Sequence, residues 1–450
     1  MTSHDWQQLA PRPPGRPIRG GEDVPGGASV APREDSSGGA GDASVQGCSA
    51  LERMGNREDG MGGLRSGGWA VLLTLVLLAP TAAHAETDVK VRGLLDLGLV
   101  SSTDSRRFNQ LTFGDSNFDP YRLRLFLDAQ LSPALEVHVQ SLFAEALGVM
   151  RADGAYALWT PWPNRDLSFE AGKIPWPIGT YAPRTYSDRN WLMGTPLMYQ
   201  YHTALVWNIA QLNADDVVAQ AGQGQLRPDA GKYYLPVIDE RWWDTGAVAL
   251  GSSRPFEFSF GVVQGSPSWP APGNDNTPGQ TVLGRLGLVP AAGIRLGVSG
   301  ADGTWMPAWY SVLLPAGGSV RDYRETTLMA DAEFAEGPFE LRGEAVHRRW
   351  ETSTAGDLDV DAGYVEARWS LSNGVWLAVR GEAMQFSDVT TAALVTRPWD
   401  DDVQRCEGVI GYRLTRDVRL KFGGQRTVRQ PFGSSRITND FLTAGLSLRF

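Results

Sequence analysis

Charged residues recur at every second position along much of the chain. Arg122 and Arg124 flank Leu123, Arg342 stands between Glu340 and Glu344, Glu366 precedes Arg368, and Arg380 precedes Glu382. In an extended strand alternate side chains share a face, so each run makes one charged and one apolar side. The same register gathers Lys90, Arg92, Arg285, Arg295, Arg413, Arg419, Lys421 and Arg449 with Asp96, Asp128, Glu136, Glu170, Asp331, Glu333, Glu344 and Glu407. Such a surface attracts ions, or its cations and carboxylates pair across strands; both readings stay open. For solute attraction the candidates are Arg122, Arg124, Arg184, Arg189, Arg342 and Arg368.

Catalytic chemistry has a weaker basis. Residues 86–450 contain the histidines His138, His202 and His347, and no motif sets one beside a nucleophilic serine. Three scattered histidines make no metal site, and no Gly-Lys-Ser/Thr loop cradles a phosphate. No catalytic residue, metal or cofactor is expected. A net charge of −10 argues against nucleic acid as a partner.

The elements that carry these residues read as paired strands. The chain closes on Asp440-Phe-Leu-Thr-Ala-Gly-Leu-Ser-Leu-Arg-Phe450, with Leu442, Ala444, Leu446, Leu448 and Phe450 on one side. Similar strands recur upstream and meet at short turns near residues 132–133, 160–165, 252–255, 290–293, 335–338, 372–374 and 415–417, where Gly, Pro, Asn and Asp supply turn dihedrals. Longer polar stretches, such as 266–279, 301–324, 351–361 and 390–404, separate the hairpins. Short turns at one end, long loops at the other and one apolar face predict an all-β fold, a transmembrane antiparallel up-and-down β-barrel over residues 86–450. Seven turns give sixteen strands, and an eighth at 213–216 would give eighteen. One stretch, residues 173–240, is far longer than the rest and crowded with aromatic and basic residues. Lys173, Tyr181, Tyr186 and Trp191 are its candidates for a constriction inside the barrel, the alternative being an external cap.

Residues 69–80 form an apolar run, short of the roughly 20 residues a spanning helix needs, followed by Ala83-His84-Ala85. The pattern predicts a signal peptide at 61–85, cleaved after Ala85. Residues 1–60, rich in Gly, Pro and Ser, read as a disordered leader or as a mis-assigned start ahead of Met54 or Met61. The two cysteines, Cys48 and Cys406, fall on either side of the cut, so no intramolecular disulfide is expected in the processed chain.

Three stretches resemble the phosphate-selective porin O and P family: Glu170-Ala-Gly-Lys-Ile-Pro-Trp-Pro-Ile-Gly179, residues 242–268 with Asp244-Thr-Gly-Ala-Val248 and Phe260-Gly-Val-Val-Gln-Gly265, and Gly337-Pro-Phe-Glu-Leu-Arg-Gly-Glu344. The resemblance implies a sixteen-stranded, trimeric porin of a Gram-negative outer membrane. It would pass small hydrophilic solutes or ions, with anions or phosphate preferred, and its third external loop would fold inward. Phe450 resembles the signal read by the outer-membrane assembly machinery. An adhesin or receptor barrel, or an outer-membrane hydrolase, is the alternative function.

Overall fold

A computed structural model describes residues 88–102, 120–144, 150–225, 232–239, 243–269 and 279–450. The expected leader and signal segment lie outside the described residues. Sixteen antiparallel strands close into one barrel, each paired with its sequence neighbours and the last with the first. They are β1 (Asp88–Ser102), β2 (Tyr121–Ser132), β3 (Leu135–Ala144), β4 (Met150–Trp159), β5 (Leu167–Pro175), β6 (Trp243–Ser253), β7 (Phe256–Val263) and β8 (Thr281–Ala291). The second half comprises β9 (Ile294–Thr304), β10 (Arg324–Glu336), β11 (Phe339–Trp350), β12 (Leu358–Ser370), β13 (Val375–Phe386), β14 (Asp402–Arg413), β15 (Val418–Gln430) and β16 (Ile437–Arg449).

All seven expected turns fall between paired strands at one end of the barrel. The alternative eighth turn is instead the start of a short helix, Ala214–Val218, because Asn213 accepts a hydrogen bond from the Asp216 backbone N–H at 3.0 Å and caps it. The strand count is therefore sixteen and not eighteen.

Alternation sorts the side chains as the barrel requires. Val91, Leu99, Phe260, Val365 and Leu442 point outward and are exposed, whereas Arg342, Glu344, Glu366, Arg380, Glu382, Arg405, Glu407 and Lys421 point inward and are buried. Trp159, Phe256, Phe339, Trp369 and Tyr412 form an outward aromatic belt at the short-turn end. The seam closes with Leu94 opposite Arg449 and Ser102 opposite Phe441, and Gly93 and Phe450 exchange backbone hydrogen bonds of 2.8 and 3.0 Å. The Phe450 ring lies flat over Gly93, where a Cβ would stand 2.1 Å from a ring carbon. A side chain at 93 would have to move that ring.

A Gly93→Val substitution should displace that ring. The overpacking cost is roughly 1–3 kcal/mol, so the folded-to-unfolded shift in heat-modifiable gel mobility should move to lower temperature by several degrees. An unchanged midpoint would show that the ring contributes nothing to closure.

Candidate functional site: the loop-filled lumen

The chain between β5 and β6 enters the barrel. Ile178, Tyr181, Leu192, Leu197, Met198, Tyr199, Tyr201 and Leu205 are almost fully buried there. The segment includes a pair of short strands, His202–Val206 with Tyr234–Pro236, and single turns at Ala182–Arg184 and Leu197–Tyr199. Part of its backbone is paired within the loop, as where the Trp207 N–H donates to the Tyr233 carbonyl at 2.8 Å, and the buried remainder must be hydrogen-bonded elsewhere. The charged wall supplies the partners. Glu407 accepts from the Met193 and Gly194 N–H groups at 2.8 Å each, and Lys421 Nζ donates to the carbonyls of Ser187, Asn190 and Leu192 at 2.7, 2.7 and 3.0 Å. Arg380 donates to the Gly194 carbonyl at 3.0 Å and to Glu407 at 2.7 Å; Arg405 reaches the Thr195 carbonyl.

Glu382 accepts from the Leu197 N–H, and Glu344 from the Thr180 N–H and the Tyr199 hydroxyl. Beyond the strands, Asp400 accepts from the N–H groups of Ala204 and Gly222 at 2.7 Å each. Burial pushes the Tyr199 and Tyr201 phenols well above their usual value, so both stay protonated donors, Tyr201 toward Asp400 at 3.3 Å. The wall contacts named here come from β11, β13, β14 and β15, so the loop leans on the second half of the barrel. At the long-loop end an apolar cluster that includes Trp305, Tyr310, Trp350, Leu358 and Trp399 packs onto it.

The residues expected to attract solutes fall into separate places. Arg122 and Arg124 converge on Asp96 at 3.1 and 3.8 Å, and Arg184 pairs with Glu333. Arg342 pairs with Glu366 and Arg368 with Glu340, while both guanidinium groups stack on Trp191 at 3.7 and 4.8 Å from its centroid. Arg189 and Arg124 each stand 5.7 Å from the Tyr186 ring, whose hydroxyl donates to Gln140 at 2.6 Å. Tyr181 is buried in the loop core against Tyr199. Lys173 requires a correction: it belongs to β5, opposite Thr245 of β6, and donates to the Ala152 carbonyl at 2.6 Å. The strand continues to Pro175 because β6 extends beside it, so Lys173 lies outside the constriction loop.

Between the loop and the first half of the wall a cavity of about 240 Å³ remains. Of the expected residues, Tyr186 and Arg189 border it. Its other cations and acids are largely matched: Arg92 with Asp128 at 2.5 Å, Arg285 with Asp331 at 2.6 Å, and Arg449 with Asp188 at 3.7 Å. Phe126, Trp243 and Asp188 also border it and were not singled out from the sequence; an aromatic residue in an inward register, as at Phe126 between Arg124 and Asp128, was the available signal. At the short-turn mouth Arg413 lies directly opposite Arg419, and neither forms an ion pair with an acid among the described residues. Arg419 is further repelled by Arg449 and Arg189, with Asp188 in partial compensation.

The histidines occupy three different settings. His138 faces the lumen with Nδ1 2.7 Å from Asp128, buried His202 has Nδ1 2.8 Å from the Tyr234 carbonyl, and His347 sits on the outer face 2.8 Å from Asp361.

No protein-family model matches the sequence, and no curated protein matches it. Among solved structures, the chain is similar to an anion-selective porin from Comamonas acidovorans (TM-score 0.50, 10% identity, 81% of this chain and 100% of the porin). Others are the outer membrane channel DcaP of Acinetobacter baumannii (TM-score 0.48, 10% identity, 83% and 100% covered) and Salmonella typhi OmpF (TM-score 0.48, 11% identity, 80% and 97% covered). At such identities the likeness is one of fold.

Lys421→Met tests the anchoring. The substitution leaves three buried carbonyls without their cationic donor, a loss of roughly 2–4 kcal/mol. Amide exchange over residues 187–194 should accelerate at least tenfold while exchange in β2 and β3 stays unchanged. Unaltered exchange in that stretch would mean the loop is held by its apolar core alone.

Proposed function

We propose that this barrel is an outer-membrane porin, a passive passage for small hydrophilic solutes and ions that runs between the inward loop and the wall of β1 to β8. The single observation that carries the reading is the off-centre cavity, bordered by charges of both signs, inside a closed barrel whose outer face is apolar. The loop narrows the lumen from one side, so selection acts where Arg189 and Tyr186 face the opposite wall. No covalent step is needed, and the solute moves down its gradient. Fold likeness to porins is in keeping with this, as are a homotrimeric assembly, export with a cleaved signal peptide, and recognition of Phe450 by the assembly machinery.

Anion preference, including phosphate, is the finer reading, and the opposed Arg413 and Arg419 favour it. Like charges placed directly opposite each other across two strands destabilise the sheet unless an anion comes between them. The arginines deeper in the lumen, Arg122, Arg124, Arg184, Arg342 and Arg368, are matched by acids and contribute a smaller field.

Planar-bilayer recording of the folded protein should give stable single-channel steps, with a reversal potential under a salt gradient that favours anions. The double variant Arg413→Gln/Arg419→Gln should lower the anion-to-cation permeability ratio by about twofold or more, and Lys421→Met should raise the conductance by freeing the loop. Absence of steps would remove the porin reading, and an unchanged ratio would remove the role given to the two arginines. A chain lacking Phe450 should insert poorly in cells; normal insertion would remove the assembly role.

A further inference from the structure

Glu170 is unlike the other lumenal carboxylates. It is only 6% exposed, yet it accepts no hydrogen bond and forms no ion pair among the described residues. Its register partners are Leu158 on β4 and Val248 on β6, both apolar and buried. His138 borders the same cavity, with its Nδ1 engaged by Asp128 at 2.7 Å and its Nε2 3.4 Å from Glu136. A buried carboxylate without a partner is costly, and a cation that enters the cavity would offset that cost.

Aromatic rings line the same cavity as Glu170. Tyr156 stacks on His138 with centroids 5.0 Å apart and stands 6.3 Å from the ring of Trp243. The Trp243 ring covers Gly154, where a Cβ would come within 2.4 Å of it, so the glycine admits the indole to the lumen. Trp176 borders the same cavity. Ring faces attract cations most when the cation is weakly hydrated. No group of three or more metal-ligating side chains is present among the described residues, so a bare metal ion finds no coordination shell here.

We propose that the cavity is a binding station for organic ammonium solutes, the ammonium resting against Glu170 and its alkyl groups against Tyr156 and Trp243. As transport the proposal rests on the porin reading, whereas binding stands on the cavity alone. Of the four guanidinium groups that border the cavity, Arg92, Arg285 and Arg449 are engaged by Asp128, Asp331 and Asp188, and Arg189 stands against the Tyr186 ring. A carboxylate in the narrow part and arginines at the mouth also suit solutes that carry both charges.

The experiment is calorimetric titration of the folded, detergent-solubilised protein with choline chloride, with tryptophan fluorescence as a second readout. The wild-type chain should bind choline saturably. Its uncharged isostere, 3,3-dimethylbutan-1-ol, should bind at least tenfold more weakly, and potassium chloride should not displace choline beyond the effect of ionic strength. Glu170→Gln, which keeps the shape and removes the buried charge, and Tyr156→Leu should each weaken choline at least tenfold while heat-modifiable mobility stays normal. Arg426→Gln on the outer wall should bind like the wild type. No choline binding, equal binding of the isostere, or undiminished binding in Glu170→Gln would overturn the proposal. Recording choline block of single channels in parallel separates the two ideas: binding without conductance would defeat the porin reading alone, and conductance without binding would defeat this one alone.

Discussion

Irregular backbone cannot be buried unless its peptide groups find partners, and the lumen of this protein is organised around that requirement. The loop between β5 and β6 pairs part of its backbone internally, and several of its remaining N–H and C=O groups bond to the wall. Glu407, Glu382 and Glu344 receive amides; Lys421, Arg380 and Arg405 reach carbonyls. Charged side chains suit this task because a hydrogen bond to an ionised group is stronger than one between neutral groups. Ion pairs such as Arg380 with Glu407 are therefore parts of a scaffold, and their charges are largely spent on one another and on the loop.

From that follows the asymmetry of the interior. The second half of the barrel holds the loop through charged contacts and an apolar core, and toward the first half the loop leaves a cavity, crossed by contacts such as the Tyr186 hydroxyl to Gln140 at 2.6 Å. Polar balance differs between the two: the filled side carries charges paired with one another, while the open side holds His138, Glu170, Arg189 and the rings beside them. Small changes in the loop would alter the width of the open side without disturbing closure, since the strand ladders do not run through the loop.

Strand number, turn positions and the direction of each side chain were legible in the sequence, because a period of two and short Gly-, Pro- and Asn-bearing turns are local signals. The inward loop was legible as an outlier in length. Pairing was not. Arg342 reads as a free cation until the register sets Glu366 beside it, and Glu170 reads as one carboxylate among many until Leu158 and Val248 appear as its neighbours. Lys173 was misplaced because the end of β5 is set by how far β6 extends, a fact that lies some seventy residues downstream. Trp243 escaped notice since only the missing side chain at Gly154 gives its ring a place inside.

The positions of the loop's partners also constrain how the chain matures. Glu344, Glu382, Glu407 and Lys421 all follow the loop in sequence, separated from their contacts by between 145 and 234 residues. The first strand likewise waits for the last residue, Phe450, to find its partner. An incomplete chain can hold hairpins but has nothing to receive the loop, so filling the interior and sealing the wall become a single late event. A molecule that is stapled shut at its seam is, for the same reason, one whose interior has already been filled.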